Sequence, residues 1–341
     1  MDMNQGLANV EVFKLATGDI DHLFRRSGLA GNLLSVFRYN ADQAAVSSPS
    51  AWFKDLTESP AFPAIARQLL EPDLKIFFHT GGSHTPEDRY YALLSRETGA
   101  VLGQFINSEG DLLLMLFPGE KAFLKWWAGI YASPGMDQYP AVFGGGLWES
   151  EVLVCALHCI DTYRRFYLES MLDYHAAAVD LSISSVDFVQ LLKRSLASGD
   201  KRWLLPALFE ITPGLKQVPV SLKPEHLKKA EEMGFITGKE SVFTLGERSR
   251  LMGTEFGSAW MSATGWQASA LIGGEERSLS RFFLAATAFT NHLFSFEIGS
   301  GGEGRFRHQA VNAPELVDTL LQWMTALRQA AAIPSKSAAP A

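Results

Sequence analysis

The chain has 341 residues, of which 47% are hydrophobic and 20% charged, and its formal net charge is −7. This composition indicates a folded protein with more than one core, and the acidic balance argues against a protein that coats nucleic acid or anionic membranes. Two cysteines do not make a disulfide framework, and the sequence shows neither a secretory signal nor a bilayer-spanning apolar run. We therefore expect a cytoplasmic protein.

Residues 1–148 are predicted to form an α+β unit around an antiparallel meander and a closing helix at 75–131. Its short apolar segments are separated by turn residues such as Glu97-Thr98-Gly99, which is typical of strands joined by tight turns. The segment Leu112–Phe117 contains no polar residue. This predicts a strand covered on both faces, by another part of the chain or by a partner.

Residues 149–181 are predicted to form one long helix that bridges the two halves. Residues 182–256 follow the order of a winged helix: three helices, a small hairpin and a last helix. Within 201–250, nine Lys and Arg stand against six Glu. A DNA-binding transcription regulator that uses Lys228 and Lys229 is one alternative function, although the glutamates on the same helix would repel phosphate.

Residues 257–330 are predicted to repeat the first unit. Gly273-Gly274 lies 192 positions after Gly81-Gly82, and Trp323 lies 196 positions after Trp127. The loop at 299–304 supplies the four extra residues. The sequence thus predicts an α+β fold of two related antiparallel meander-plus-helix units, packed as a pseudo-dimer and joined by the long helix and the winged-helix-like insert. A disordered tail is predicted at 331–341.

Two groups of residues have the composition of chemical sites. Cys155, His158 and Cys159 share one helix face, but a structural zinc site needs four ligands, so buried small side chains are favoured. His79 and His84 flank the Gly81-Gly82 turn and could act as an acid–base group with Glu87 or Asp88, but turn histidines are more often solvated. We predict no cofactor, no metal site and no enzymatic activity; an enzyme of unrecognised type, with polar groups from both halves, is the second alternative.

Two sheet–helix units without a polar catalytic cleft suit a protein that holds another protein. The favoured function is a non-enzymatic adaptor or chaperone-like factor, with oligomers possible and nucleic acid or membrane not expected as partners. The candidate partner-binding residues are Leu112, Leu114, Met115, Leu116, Trp126, Trp127, Arg305 and Arg307. Together with Arg277 and Arg281, the arginines could form one basic stripe that receives an acidic partner segment, although a solvated sheet face is the favoured interpretation.

This layout resembles that of the acidic cytosolic chaperones of bacterial secretion systems, including the pseudo-twofold type that serves ESX substrates. The resemblance is one of layout. It implies that the protein serves a bacterial secretion system.

Overall fold

The computed structural model describes residues 10–38, 48–81, 87–95, 97–136, 145–174, 181–212, 214–217, 220, 222–239, 241–298 and 304–332. Its strands are β1 (Glu11–Leu15), β2 (Leu74–Gly81), β3 (Asp88–Leu94), β4 (Val101–Ile106), β5 (Leu112–Phe117), β6 (Gly146–Glu149), β7 (Ser182–Ser184), β8 (Ile236–Lys239), β9 (Val242–Leu245), β10 (Trp260–Ile272), β11 (Glu275–Thr287), β12 (Asn291–Ile298) and β13 (Gly304–Val311). Its α-helices are α1 (Ile20–Ser27), α2 (Ala51–Glu58), α3 (Phe62–Leu70), α4 (Glu120–Tyr131), α5 (Ser150–Tyr174), α6 (Ser185–Ala197), α7 (Leu204–Ile211), α8 (Pro224–Glu232), α9 (Glu247–Ala259) and α10 (Ala313–Ala332). The chain has an α+β fold, as the sequence predicts.

Local sequence signals set several helix ends. The hydroxyl of Ser184 accepts the backbone N–H of Asp187 at 3.0 Å and so caps α6. Gly28 ends α1 in the left-handed region, at a φ of 70°, where glycine is preferred. Among the described residues, no helix combines the length and the apolar content that crossing a membrane requires.

Ten strands form one antiparallel sheet in the order β1-β5-β4-β3-β2-β10-β11-β12-β13-β6. The two predicted meanders are β2–β5 and β10–β13. They meet where β2 pairs with β10, with Leu74 opposite Ala270 and Gly81 opposite Ala263. The strand order on one side of this junction mirrors the order on the other side, so the two units are joined edge to edge. Their origin by internal duplication stays a prediction.

Helices α4 and α10 pack together on one face of the sheet, which we call the helix-pair face. Trp127 of α4 contacts Trp266 of β10 with ring centroids 4.7 Å apart, and Trp323 of α10 contacts Phe282 of β11 at 4.9 Å. Trp266 also packs edge-on against Phe78 of β2, at 4.3 Å. This aromatic cluster buries the junction between the two units.

The opposite face, which we call the bundle face, carries two helical groups. Helices α1–α3 cover the strands of the N-terminal half, and α5–α9 cover those of the C-terminal half. The sequence predicted that α5 bridges the halves; in the structure it packs on β6, β13 and α6–α9 of the C-terminal half. It contributes a continuous set of buried apolar residues to that core, from Val152 to Ile160, together with the buried polar residues His158, Asp161 and Arg164.

The segment 182–256 contains the helices and the hairpin in the predicted order. An additional strand, β7, pairs with β9, so that a small sheet forms in the order β7-β9-β8. The likeness to a winged helix stays a prediction. The tail beyond residue 332 lies outside the described residues, as do most of the loop at 299–304 and His84.

Candidate functional site

Strand β5 carries the predicted apolar surface, and the chain itself covers most of it. Strand β1 pairs with its outer edge, with Phe13 opposite Leu114. Leu112 is 3% exposed and Leu114 is fully buried under α1–α3, and the half-buried Leu116 packs against the same core. The sequence allowed β5 to be covered by another part of the chain or by a partner. On the bundle face, the chain's own helices cover it. Leu112 and Leu114 are core residues and offer no surface to a partner.

The two predicted tryptophans have different positions. Trp127 is fully buried between α4 and the sheet, so its prediction as a contact residue is corrected: it holds the helix-pair core together. Trp126 is half-buried and contacts Phe105 and Phe117, with ring centroids 5.6 and 5.2 Å apart. It therefore keeps an accessible edge.

Beyond α4, the helix-pair face of the first unit leaves apolar side chains partly exposed. Val12 lies directly opposite Met115, and Leu113 lies directly opposite Phe105, so all four point to one face. Val12 is 55% exposed and the other three are half-buried. Together with Trp126 they form what we call the apolar patch. Met115 and Trp126 are the two predicted partner-binding residues that belong to it.

The corresponding strand of the second unit has a charged surface on the same face. Arg305 and Arg307 alternate along β13 with the buried Phe306 and His308 of the bundle face. Arg307 forms an ion pair with Glu297 of β12 at 3.1 Å. The two units therefore expose different chemistry at equivalent places.

The alternative of one basic stripe is wrong, because its arginines lie on both faces of the sheet. Arg281 is directly opposite Gln267 and Phe296, and Phe296 is opposite the buried Phe306, which places Arg281 on the bundle face. Arg305 and Arg307 point to the other face. The registers of β10–β13, which decide this, depend on strand pairing that a single sequence does not reveal.

The predicted acid–base group is a cluster of ion pairs. His79 Nε2 lies 2.9 Å from Glu87 Oε1, and Arg89 pairs with the same carboxylate at 3.1 Å. A hydrogen bond from Lys201 is the main cause that lowers the pKa of Glu87 to about 2, and burial lowers the pKa of His79. At neutral pH the carboxylate is ionised and held by cations, so the cluster joins the β2–β3 region to the segment before α7.

The predicted metal candidates are buried in the core of the C-terminal half. Cys155 and Cys159 are buried free thiols. The Nε2–H of His158 donates to the carbonyl of Phe188 at 3.0 Å, and burial lowers the pKa of His158 to about 3. Across the described residues, no group of three or more His, Cys, Asp or Glu side chains is placed to hold a metal ion.

Two lysines of α8 were assigned to DNA in the alternative function. In the structure Lys229 pairs with Glu149 of β6, and Lys228 lies 3.9 Å from Glu232. Both lysines therefore have a carboxylate neighbour within the chain.

Sequence reasoning missed a buried polar chain beneath the second unit. His292 Nε2 lies 3.1 Å from Glu255 Oε1, and His292 Nδ1 lies 3.1 Å from His308 Nε2. Thr287 Oγ1 donates to the same glutamate oxygen at 2.7 Å. These residues come from α9 and from β11, β12 and β13, which are separate segments of the sequence. The only sequence signal for this buried polar chain was the position of His308, which falls on the inward face of an alternating strand.

Neither a protein family nor a curated protein matches the chain. Among solved structures, it is similar to a chain in the structure of the Mycobacterium tuberculosis type VII secretion system chaperone EspG5 in complex with a PE25-PPE41 dimer. The similarity covers 91% of this chain and 94% of that chain, with a TM-score of 0.38 and 9% sequence identity. At these values it carries no weight in the assignment of function.

Proposed function

We propose that the chain is a non-enzymatic protein-binding factor, an adaptor or chaperone-like protein, and that the apolar patch contacts an apolar segment of its partner. One observation carries this proposal. Val12, Phe105, Leu113, Met115 and Trp126 lie on one face of adjoining elements and keep accessible surface. The second unit has Arg305 and Arg307 in the corresponding strand.

The energetic reason is the cost of leaving such a patch in water. Each Å² of apolar surface removed from water contributes about 25 cal/mol, so a partner that covers these side chains gains binding energy from all of them. Large apolar side chains that cluster on a surface mark sites of protein interaction, and Trp and Met are enriched in interfaces relative to other surfaces.

Charged groups mark the boundary of the apolar patch. Lys14, on the same face as Val12, pairs with Glu109 at 3.1 Å and with Asp111 at 2.9 Å. A polar rim of this kind is usual around the apolar centre of an interface. A cytoplasmic location and service to a secretion system are finer parts of the proposal, supported by the layout of an acidic chain with two sheet–helix units.

The test is affinity capture from the cells that express the protein, with Val12→Asp as the patch variant. A charge at the most exposed patch residue should reduce recovery of the partner at least tenfold, because the aspartate would have to be desolvated in the interface. Val242→Asp is the matched control, since Val242 is another strand valine, 42% exposed and outside the patch.

Thermal unfolding of each variant shows whether the fold is intact. The proposal stands if the wild type and Val242→Asp retain the same stoichiometric partner and Val12→Asp loses it. The proposal fails if folded Val12→Asp recovers the partner as well as the wild type does. It also fails if the wild type recovers no partner.

A further inference from the structure

Arg281 is the starting point of a second site on the bundle face. It belongs to a row of four residues that are direct partners across the central strands: Tyr91 of β3, Phe77 of β2, Gln267 of β10 and Arg281 of β11. All four side chains are half-buried. The row therefore runs across the junction of the two units and is reachable from solvent.

The guanidinium of Arg281 lies against the loop that follows α7. A Cβ atom added to Gly214, in the loop after α7, would lie 3.2 Å from its Nη2 and 3.3 Å from its Nε. Gly214 has a φ of 73° and leaves the space that the guanidinium occupies. The side chain is thus packed between β11 and this loop.

The same guanidinium lacks a counter-ion within the described part of the chain. Its Nε is buried without a hydrogen-bond acceptor, and burial alone lowers the pKa of Arg281, with no carboxylate acting against it. Other arginines of the sheet are paired, Arg277 with Glu275 and Arg307 with Glu297. A half-buried guanidinium without a carboxylate has lost part of its hydration, and no ion pair offsets that cost.

The neighbouring carboxylates of this face are already occupied. Glu276 pairs with Lys75 at 2.8 Å, and Glu87 holds Arg89 and Lys201. The amide of Gln267, directly opposite Arg281, makes no hydrogen bond to any residue that the structure describes. The terminal nitrogens of Arg281 and the amide of Gln267 are therefore the unused donors of this face, and such N–H groups suit a carboxylate.

An apolar surface lies next to these donors. Phe77 and Tyr91 contact each other with ring centroids 5.2 Å apart. The strand of Phe77 is two strands away from that of Arg281, a distance of roughly 10 Å. A segment in the polyproline II conformation covers that distance in about three residues, at roughly 3.1 Å per residue, and its side chains three positions apart lie on one face.

We propose that Arg281 and Gln267 bind the carboxylate of an acidic side chain in a segment of a partner protein, and that an apolar residue three positions away packs on Phe77 and Tyr91. This site goes beyond the proposed function. It lies on the other face of the sheet from the apolar patch, and it does not require that the patch binds anything.

The test uses two short peptides as probes, acetyl-Leu-Ala-Ala-Glu-amide and acetyl-Leu-Ala-Ala-Gln-amide. Each is titrated into the full-length protein while the arginine Nε–Hε resonances are recorded by NMR. The resonance of the Arg281 Nε–H is assigned by its loss in Arg281→Lys. We expect a saturable shift of this resonance with the Glu peptide and at least a tenfold weaker response to the Gln peptide.

The control variant is Arg277→Gln, which removes a paired arginine of the same strand and should bind the Glu peptide like the wild type. Arg281→Gln should lose this binding. Equal responses to the two peptides, or no response because a carboxylate of the chain itself occupies Arg281, would overturn the proposal. If Arg281→Gln fails to fold, the comparison of the two peptides on the wild type still tests the proposal. The result of this titration does not depend on the result of the capture experiment with Val12→Asp.

Discussion

A Cβ atom on Gly265 of β10 would collide with the carbonyl oxygen of Ile211 at the end of α7. Gly265 lies directly opposite His79 of β2, so this contact is at the junction of the two units. Only glycine allows the helix backbone to approach the central strand so closely. The position of α7, and of the loop that holds Arg281, depends on this contact.

We expect Gly265→Ala to destabilise the fold by about 2–4 kcal/mol, because backbone atoms on both sides must move to admit the methyl group. Denaturant unfolding at constant pH measures the loss. The matched control is Gly129→Ala in α4, where a Cβ would meet nothing within 4 Å. That change should stabilise the protein by about 0.5–1 kcal/mol, the usual gain from glycine to alanine in a helix. Equal stabilities of the two variants would contradict the close contact.

Asp161 of α5 holds the start of α7. Its carboxylate accepts the backbone N–H groups of Leu204 and Leu205 at 3.0 and 2.9 Å, and Arg164 at 2.8 Å. Residue 203, which precedes the helix, provides no capping side chain of its own. The carboxylate is fully buried, and this burial raises its pKa.

We expect Asp161→Ala to cost about 3–5 kcal/mol, because it removes the counter-charge of a buried guanidinium and the acceptor of two helix N–H groups. Asp173→Ala, at an exposed position of the same helix, should change stability by less than about 0.5 kcal/mol. Chemical denaturation of both variants provides the comparison. A small loss for Asp161→Ala would mean that water replaces the carboxylate at no great cost.

His158 makes the stability depend on pH. Its folded-state pKa is about 3, below the ordinary value of 6.5, because burial disfavours the charged ring. Between these two values the unfolded chain binds a proton that the folded chain does not, so stability is fully present above pH 6.5 and falls as the pH drops towards 3. The slope for one group approaches about 1.4 kcal/mol per pH unit.

We expect His158→Gln, which keeps a donor for the carbonyl of Phe188, to lose this part of the acid sensitivity. The free energy of unfolding of both proteins is measured between pH 8 and pH 4. The variant should be less stable than the wild type at pH 8 and should gain on it steadily below pH 6.5. Parallel profiles would show that the pKa of His158 is the same in the folded and unfolded chains.

The strands and turns of both meanders could be predicted from the sequence because their signals are local. The apolar segment Leu112–Phe117, without alternation, predicted cover on both faces; α1–α3 provide it on the bundle face, whereas Leu113 and Met115 on the other face stay half-buried. The pairing of β2 with β10 joins residues far apart in the chain, and no local pattern specifies such a pair.

The candidate site depended even more on long-range pairing. Met115 and Trp126 kept accessible surface, whereas Leu114 and Trp127 became core, because the neighbours that bury them come from other elements. Arg281 was seen as one of four basic residues. Its separation from Arg307 by the thickness of the sheet follows from the β10–β13 registers, which only the structure provides.

The β2–β10 ladder also determines when the chain can fold. Its partners are roughly 190 residues apart, and at usual rates of synthesis the ribosome needs roughly 10–40 s for such a length. During that time the inner edge of the first meander, with Ile76 and Phe78, has no partner strand. Unpaired apolar edges recruit other chains, so the hazard of aggregation is concentrated in this interval and ends when β10 leaves the exit tunnel.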